Sequence, residues 1–207
     1  MKFYLSSYKF GNVVDQLMAM RPEKAKIGHI NNARDWVGAD LEYANKKQGE
    51  EMAQLHRYGF LPEALDLKDY FGKQSELEQK IDQLDALWVS GGNTFVLRMA
   101  MRISGFDQLV HDLNKRDDFL YAGYSAGVCV LADSLRGIEN DDDPYNFPYA
   151  QIQEPSFDGL GIFNYIILPH YDSDHPESEE IAREVQRCIE QKRLFKVLRD
   201  GEVIIIQ

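Results

Sequence analysis

Short apolar runs, two of them ending in glycine, alternate with longer amphipathic stretches along this chain, and that alternation admits few folds. Residues 3–7, 26–31, 61–67, 87–90, 119–123 and 162–168 read as strands. Residues 35–58, 76–84, 95–101 and 106–113 read as helices. Another helix starts at Pro176, where proline suits a first turn, and it carries Ile181, Val185, Cys188 and Ile189 on one face. Residues 194–198 and 202–206 read as a closing hairpin around Arg199-Asp200-Gly201. Strands alternating with helices build right-handed βαβ units around a mostly parallel sheet, so the expected fold class is α/β. Such sheets carry their functional groups at the carboxyl ends of the strands.

The length of 207 residues suits one domain over 1–207, since it is barely enough for two cores. Residues 136–158 form the exception to the alternation. They contain three prolines and an acidic run at 139–143, and they read as a long lid-like loop. That run lacks the spacing of a calcium loop and is expected to be solvated. The formal net charge of −11 repels phosphate backbones and anionic lipid, so neither nucleic acid nor a membrane is an expected partner. Cys129 and Cys188 stand far apart without a CxxC spacing, which excludes a cysteine zinc site. No run approaches the length of a membrane span, and cytoplasmic residence is the default expectation.

The strongest local signal is Gly123-Tyr124-Ser125-Ala126-Gly127. A serine between two glycines fits a sharp strand-to-helix turn that lifts its Oγ above the sheet. The pattern alone arises by chance roughly once in 15 chains of this length. Here a strand precedes it and a small, apolar stretch follows, as the turn requires. Its rival is a packing turn with an inert serine. A nucleophilic serine needs a base. Among His29, His56, His111, His170 and His175, His170 directly ends a buried strand and should reach the same sheet edge. His175 is the reserve, and His29, inside a strand, reads as a satisfied core histidine. The base needs a carboxylate behind it. Asp200 follows a strand, although Asp-Gly is also a common turn dipeptide. Ser90-Gly91-Gly92-Asn93-Thr94 follows another strand, and the Gly92 and Ala126 N–H groups could pair as an oxyanion hole.

Taken together, Gly91-Gly92-Asn93-Thr94-Phe95, Gly-Tyr-Ser-Ala-Gly, Leu-Pro-His and Leu-Arg-Asp-Gly, in that order, resemble the dipeptidase E (α-aspartyl dipeptidase) family of serine peptidases, within a wider group that includes the cyanophycinases. The resemblance implies a three-layer sandwich with a flavodoxin-like sheet related to class I glutamine amidotransferases. It implies a triad of Ser125, His170 and Asp200, an oxyanion hole at Gly92 and Ala126, and substrate contacts from Asn93 and Arg136. It implies hydrolysis of small peptides with release of an N-terminal residue, no cofactor, no metal, and a monomer or homodimer. Two other readings stay open. One is an α/β-hydrolase-type esterase, whose acid would fall within 133–158. The other is a non-catalytic relative that binds a peptide in the same pocket.

Overall fold

The computed structural model describes residues 1–22 and 24–207. Its main sheet has six strands in the order β3-β2-β4-β5-β1-β8. These are β1 (Lys2–Ser6), β2 (Lys26–Ile30), β3 (Leu61–Ala64), β4 (Ala86–Val89), β5 (Leu120–Tyr124) and β8 (Val203–Ile206). All neighbours run parallel except β8, which lies antiparallel to β1. The order β3-β2-β4-β5 repeats the 2-1-3-4 arrangement of a doubly wound sheet, and the next parallel place is filled by the N-terminal strand.

Side-chain parity on the strands decides which helix covers which face. Phe3, Leu5, Leu87, Val89 and Tyr121 point into one core cluster. They pack there with the apolar sides of α3 (Gln74–Ile81), α4 (Thr94–Ser104) and α5 (Phe106–Leu113). Tyr4, Ile27, Trp88, Leu120 and Ala122 point the other way, onto Leu17 and Met20 of α1 (Val14–Met20) and Leu55 of α2 (Leu41–Arg57). The expected α/β class and its helix-sheet-helix layering are therefore present.

The strands expected over 61–67 and 162–168 are shorter, Leu61–Ala64 and Ile166–Leu168, and other local readings need correction. The expected helix over 35–58 begins only at Leu41, because the Asp40 side chain caps it by accepting the Tyr43 N–H. The short α1 was not foreseen. The expected closing hairpin does not form. β7 (Phe195–Val197) instead pairs parallel with β6 (Ile166–Leu168) in a separate two-stranded sheet, while β8 joins β1. The Asp-Gly turn fixes the chain reversal, but each flanking strand finds its apolar partner elsewhere. No helix among the described residues is long and apolar enough to cross a membrane.

Candidate active site

The carboxyl ends of β1, β2, β4, β5 and β6 converge on one cavity of about 800 Å³. Ser125 lines it from the turn between β5 and the short helix α6 (Ala126–Cys129). Its backbone lies at φ 48°, ψ −117°, a region that costs a non-glycine residue roughly 1–3 kcal/mol. The flanking glycines make the turn possible by close packing. A Cβ on Gly123 or Gly127 would stand 2.5 or 2.3 Å from the Val89 carbonyl oxygen at the end of β4. A Cβ on Gly92, at φ +145°, would stand 2.4 Å from the Ala33 carbonyl oxygen. The Gly92 and Ala126 N–H groups donate to no acceptor among the described residues, which leaves both free for a ligand.

His170 also lines the cavity, although its side chain is almost fully buried. Its Nδ1 lies 2.7 Å from Asp200 Oδ1. A carboxylate can only accept, so Nδ1 carries the proton and the lone pair of the neutral ring sits at Nε2. Burial, and after it the neighbouring His175, holds the imidazole below its ordinary range, against the opposing pull of Asp200. The carboxylate behind His170 thus comes from Asp200 and not from the 133–158 segment that the esterase reading requires. The Ser125 hydroxyl makes no hydrogen bond among the described residues, so Ser125 and His170 line the same cavity without a hydrogen bond joining them. Such contacts often tighten only around a substrate.

The other expected residues divide. Asn93 lines the cavity, caps α4 by accepting the Val96 N–H, and donates to the Asp143 carbonyl. Arg136 does not reach the cavity: it is exposed, with its guanidinium 3.9 Å over the Phe157 ring. That stacking holds it on a different surface from the one the sequence reading gave it. The acidic run is not simply solvated either. Asp142 accepts the Thr94 N–H at the start of α4, Asp141 is half-buried, and both line the cavity. Burial, with like charges nearby including Glu177, pushes both carboxyls up to about 7. Cys129 is buried with Sγ toward the Ile167 carbonyl, and burial pushes its thiol up, so it offers no nucleophile.

Sequence reasoning missed the support beneath the cavity. Glu51 of α2 is buried and accepts from five side chains: His29 Nε2 (3.0 Å), Arg34 Nη2 (3.0 Å), Trp88 Nε1 (3.2 Å), Ser90 Oγ (2.6 Å) and Tyr124 OH (2.7 Å). Burial pushes its carboxyl up. The His29 hydrogen bond and the Arg34 charge outweigh that and hold it well below the usual carboxylate range. Ser90 precedes the Gly91-Gly92 turn and Tyr124 precedes Ser125, so Glu51 ties the two turns together.

His170, His175 and Glu177 are close enough for a shared cation, with ligand atoms within 4.8 Å of one another. The two imidazoles, however, stack at 3.7 Å and 8°. A metal lies in the plane of each ring that holds it, and near-parallel rings share no in-plane point. The observed arrangement therefore suits stacking and not ligation.

Known proteins resemble this chain in sequence and in fold. The chain is 31% identical to peptidase E of Streptomyces coelicolor over 128 residues, covering 61% of this chain and 46% of that one. It is 31% identical to a probable alpha-aspartyl dipeptidase of Drosophila melanogaster over 117 residues, covering 56% and 43%. The chain spans about half the length of the curated relatives it matches. The crystal structure of a peptidase E-type protein of Listeria monocytogenes superposes with a TM-score of 0.73, covering 100% of this chain and 98% of that one at 23% identity, which shows the shared fold. The model of peptidase family S51 matches residues 37–207, a stretch that includes the glycine turns, Ser125, His170 and Asp200, and the chain accordingly belongs to that family.

Proposed function

We propose that this chain is a serine peptidase that hydrolyses small peptides and releases their N-terminal residue. The observation that carries the reading is the 2.7 Å Asp200–His170 hydrogen bond, which leaves Nε2 unprotonated on a ring that lines the same cavity as a strained serine. In the proposed reaction a side-chain rotation brings the Ser125 hydroxyl to His170 Nε2. His170 takes its proton as Oγ attacks the peptide carbonyl, and Asp200 stabilises the imidazolium. The Gly92 and Ala126 N–H groups receive the oxyanion. His170 then protonates the leaving amine. Water, deprotonated by His170, cleaves the acyl-enzyme and restores the serine. The chain order Ser, His, Asp distinguishes this scheme from the esterase reading.

Charge around the cavity supports a short substrate with free ends. Asp141, Asp142 and Glu177 line one side and suit an α-ammonium group. Lys9 lines the cavity as well and suits a terminal carboxylate, while Lys47 and Arg57, also on its wall, are bonded to Glu50 and Gln54. Arg34 also lines it, but its Nη2 is committed to Glu51 and Tyr124. No cofactor is part of the proposal.

The test is a panel of free and N-acetylated dipeptides, with aspartyl and neutral first residues, offered to the wild type and to Ser125→Ala. Labelling by a fluorophosphonate is followed in parallel. The reading expects cleavage of free dipeptides and labelling, both abolished by Ser125→Ala. Labelling that survives the substitution would overturn the nucleophile. Blocked peptides cut as fast as free ones would overturn N-terminal release. A wild type that neither labels nor cleaves would favour the binding-only relative.

A further inference from the structure

We infer that Ser7, which directly follows β1, is a positioning residue that completes the relay as its fourth member. The inference rests on the serine peptidase reading above. Ser7 is fully buried, yet its hydroxyl is not idle. Its Oγ lies 2.8 Å from Asp200 Oδ1, the same oxygen that His170 Nδ1 approaches. It also lies 2.8 Å from the His170 backbone nitrogen and 3.3 Å from the Leu198 carbonyl. A hydroxyl has one proton to give. The His170 N–H must donate to Oγ, so the hydroxyl proton goes to an acceptor. The shorter, charge-assisted contact is with Asp200.

One small side chain therefore grips both partners of the relay. His170 has a backbone φ of +62°, which is unfavourable for a residue with a side chain. The Ser7 acceptor holds its N–H in that conformation, and the conformation sets where the ring starts. Asp200 comes from the turn between β7 and β8. Its own N–H is held by Ser173 Oγ at 2.8 Å, and Ser7 fixes its carboxylate. The Ser7 N–H donates to the Glu202 carbonyl (3.1 Å), joining the same turn to β1. Two chain segments 30 residues apart are thereby registered against the first strand of the sheet.

The hydroxyl also shares the Asp200 charge. An O–H donated to the carboxylate draws off part of the negative charge that would otherwise stabilise a protonated His170. Removing it should make protonation of the ring easier. The other groups facing that ring are Glu177, 3.9 Å from Nε2, the stacked His175, and Tyr8, edge-on at 6.0 Å. None of these is changed by a substitution at Ser7.

The experiment compares the wild type with Ser7→Ala and Ser7→Thr, which keeps the hydroxyl. It measures kcat and KM on the best free dipeptide, the pH dependence of fluorophosphonate labelling, and the titration of the His170 ring by imidazole NMR. For Ser7→Ala the inference expects kcat to fall about tenfold with KM within twofold. It also expects both the labelling profile and the His170 titration to move to higher pH. Ser7→Thr should restore the wild-type titration even if its crowding costs stability. Ser7→Ala with unchanged kcat, or with an unmoved His170 titration, would overturn the inference. If Ser7→Ala does not fold, the Ser7→Thr titration decides: a displaced His170 titration sinks the proposal and a wild-type one sustains it. A wild type that never labels would overturn the peptidase reading, and this inference with it. Normal wild-type labelling that Ser7→Ala leaves unaltered overturns this inference alone.

Discussion

Two buried histidines in this protein face carboxylates at nearly the same distance, with opposite consequences. His170 meets Asp200 at 2.7 Å and His29 meets Glu51 at 3.0 Å. His29 spends Nε2 on Glu51, lies 3.3 Å from Ser90 Oγ, and has Gln48 3.5 Å from Nδ1. It lies inside β2 and does not line the cavity. His170 makes its side-chain hydrogen bond through Nδ1, lines the cavity, and leaves Nε2 without a hydrogen bond among the described residues, 3.9 Å from Glu177. The carboxylates differ in the same way. Glu51 collects five side-chain donors and acts as a bolt beneath the two glycine turns. Asp200 collects two side-chain donors and holds one ring. On the proposed reading, a histidine–carboxylate pair becomes reactive through what is left unsatisfied and where it sits. The pairing itself is common to both.

Identical substitutions should split the two pairs most sharply. His170→Gln and Asp200→Asn should lower kcat by roughly 10⁴-fold on free dipeptides, with Tm close to the wild type. Steady-state kinetics alongside thermal unfolding reads both quantities. Retention of most activity by Asp200→Asn would restore the esterase reading. Glu51→Gln should do the reverse. It leaves the Arg34 guanidinium buried without its counter-charge, a loss of about 3–5 kcal/mol. In a chain of this size that lowers Tm by roughly 10 °C. Stability at wild-type level in Glu51→Gln would show that the network does not bolt the turns.

This contrast also explains which parts of the site could be read from the sequence. Ser125, His170, Asp200 and Gly92 stand directly after apolar strand segments, so the rule that parallel sheets collect groups at their carboxyl ends locates them. Glu51 and Arg34 carry no such mark. Glu51 sits in the polar-looking helix α2, and only the tertiary fold reveals that it faces Trp88 and Tyr124. Ser7 was legible as the end of a strand but not as a partner of Asp200, because β8 joins β1 where local turn chemistry pointed to a hairpin with β7. Arg136 was carried over by resemblance, and its stacking on Phe157 depends on loop packing that no motif encodes. Strand ends are fixed by short-range pattern. Buried polar partners are fixed by which elements happen to meet.

The same substitution at the other histidine should do much less. His29→Gln keeps a donor that can reach Glu51, so the network loses at most one hydrogen bond to a charged group, about 1.5–3 kcal/mol. Chemical denaturation measures that loss, and kcat should stay within about threefold. A collapse of kcat comparable with that of His170→Gln would erase the distinction between the two pairs.

The smallest expected effect is in the pH dependence, and it separates the cavity's acids from its base. Protonated His170 cannot accept the serine proton, so kcat falls as pH drops through the His170 titration. Because burial lowers that titration, the half-maximum of kcat should lie below the ordinary histidine value of about 6.5. Asp141 and Asp142 gain protons earlier on the way down, near 7, and lose the charge proposed to hold the substrate ammonium. They are close enough to titrate as a coupled pair. KM should therefore begin to rise at a higher pH than the one at which kcat begins to fall. Asp142→Asn should remove most of that separation, since one member of the pair no longer titrates and the remaining Asp141 loses a repelling neighbour. Parallel pH profiles of kcat and KM in the wild type would show that the two carboxylates do not meet the substrate, leaving the His170 limb as the only acid-side step.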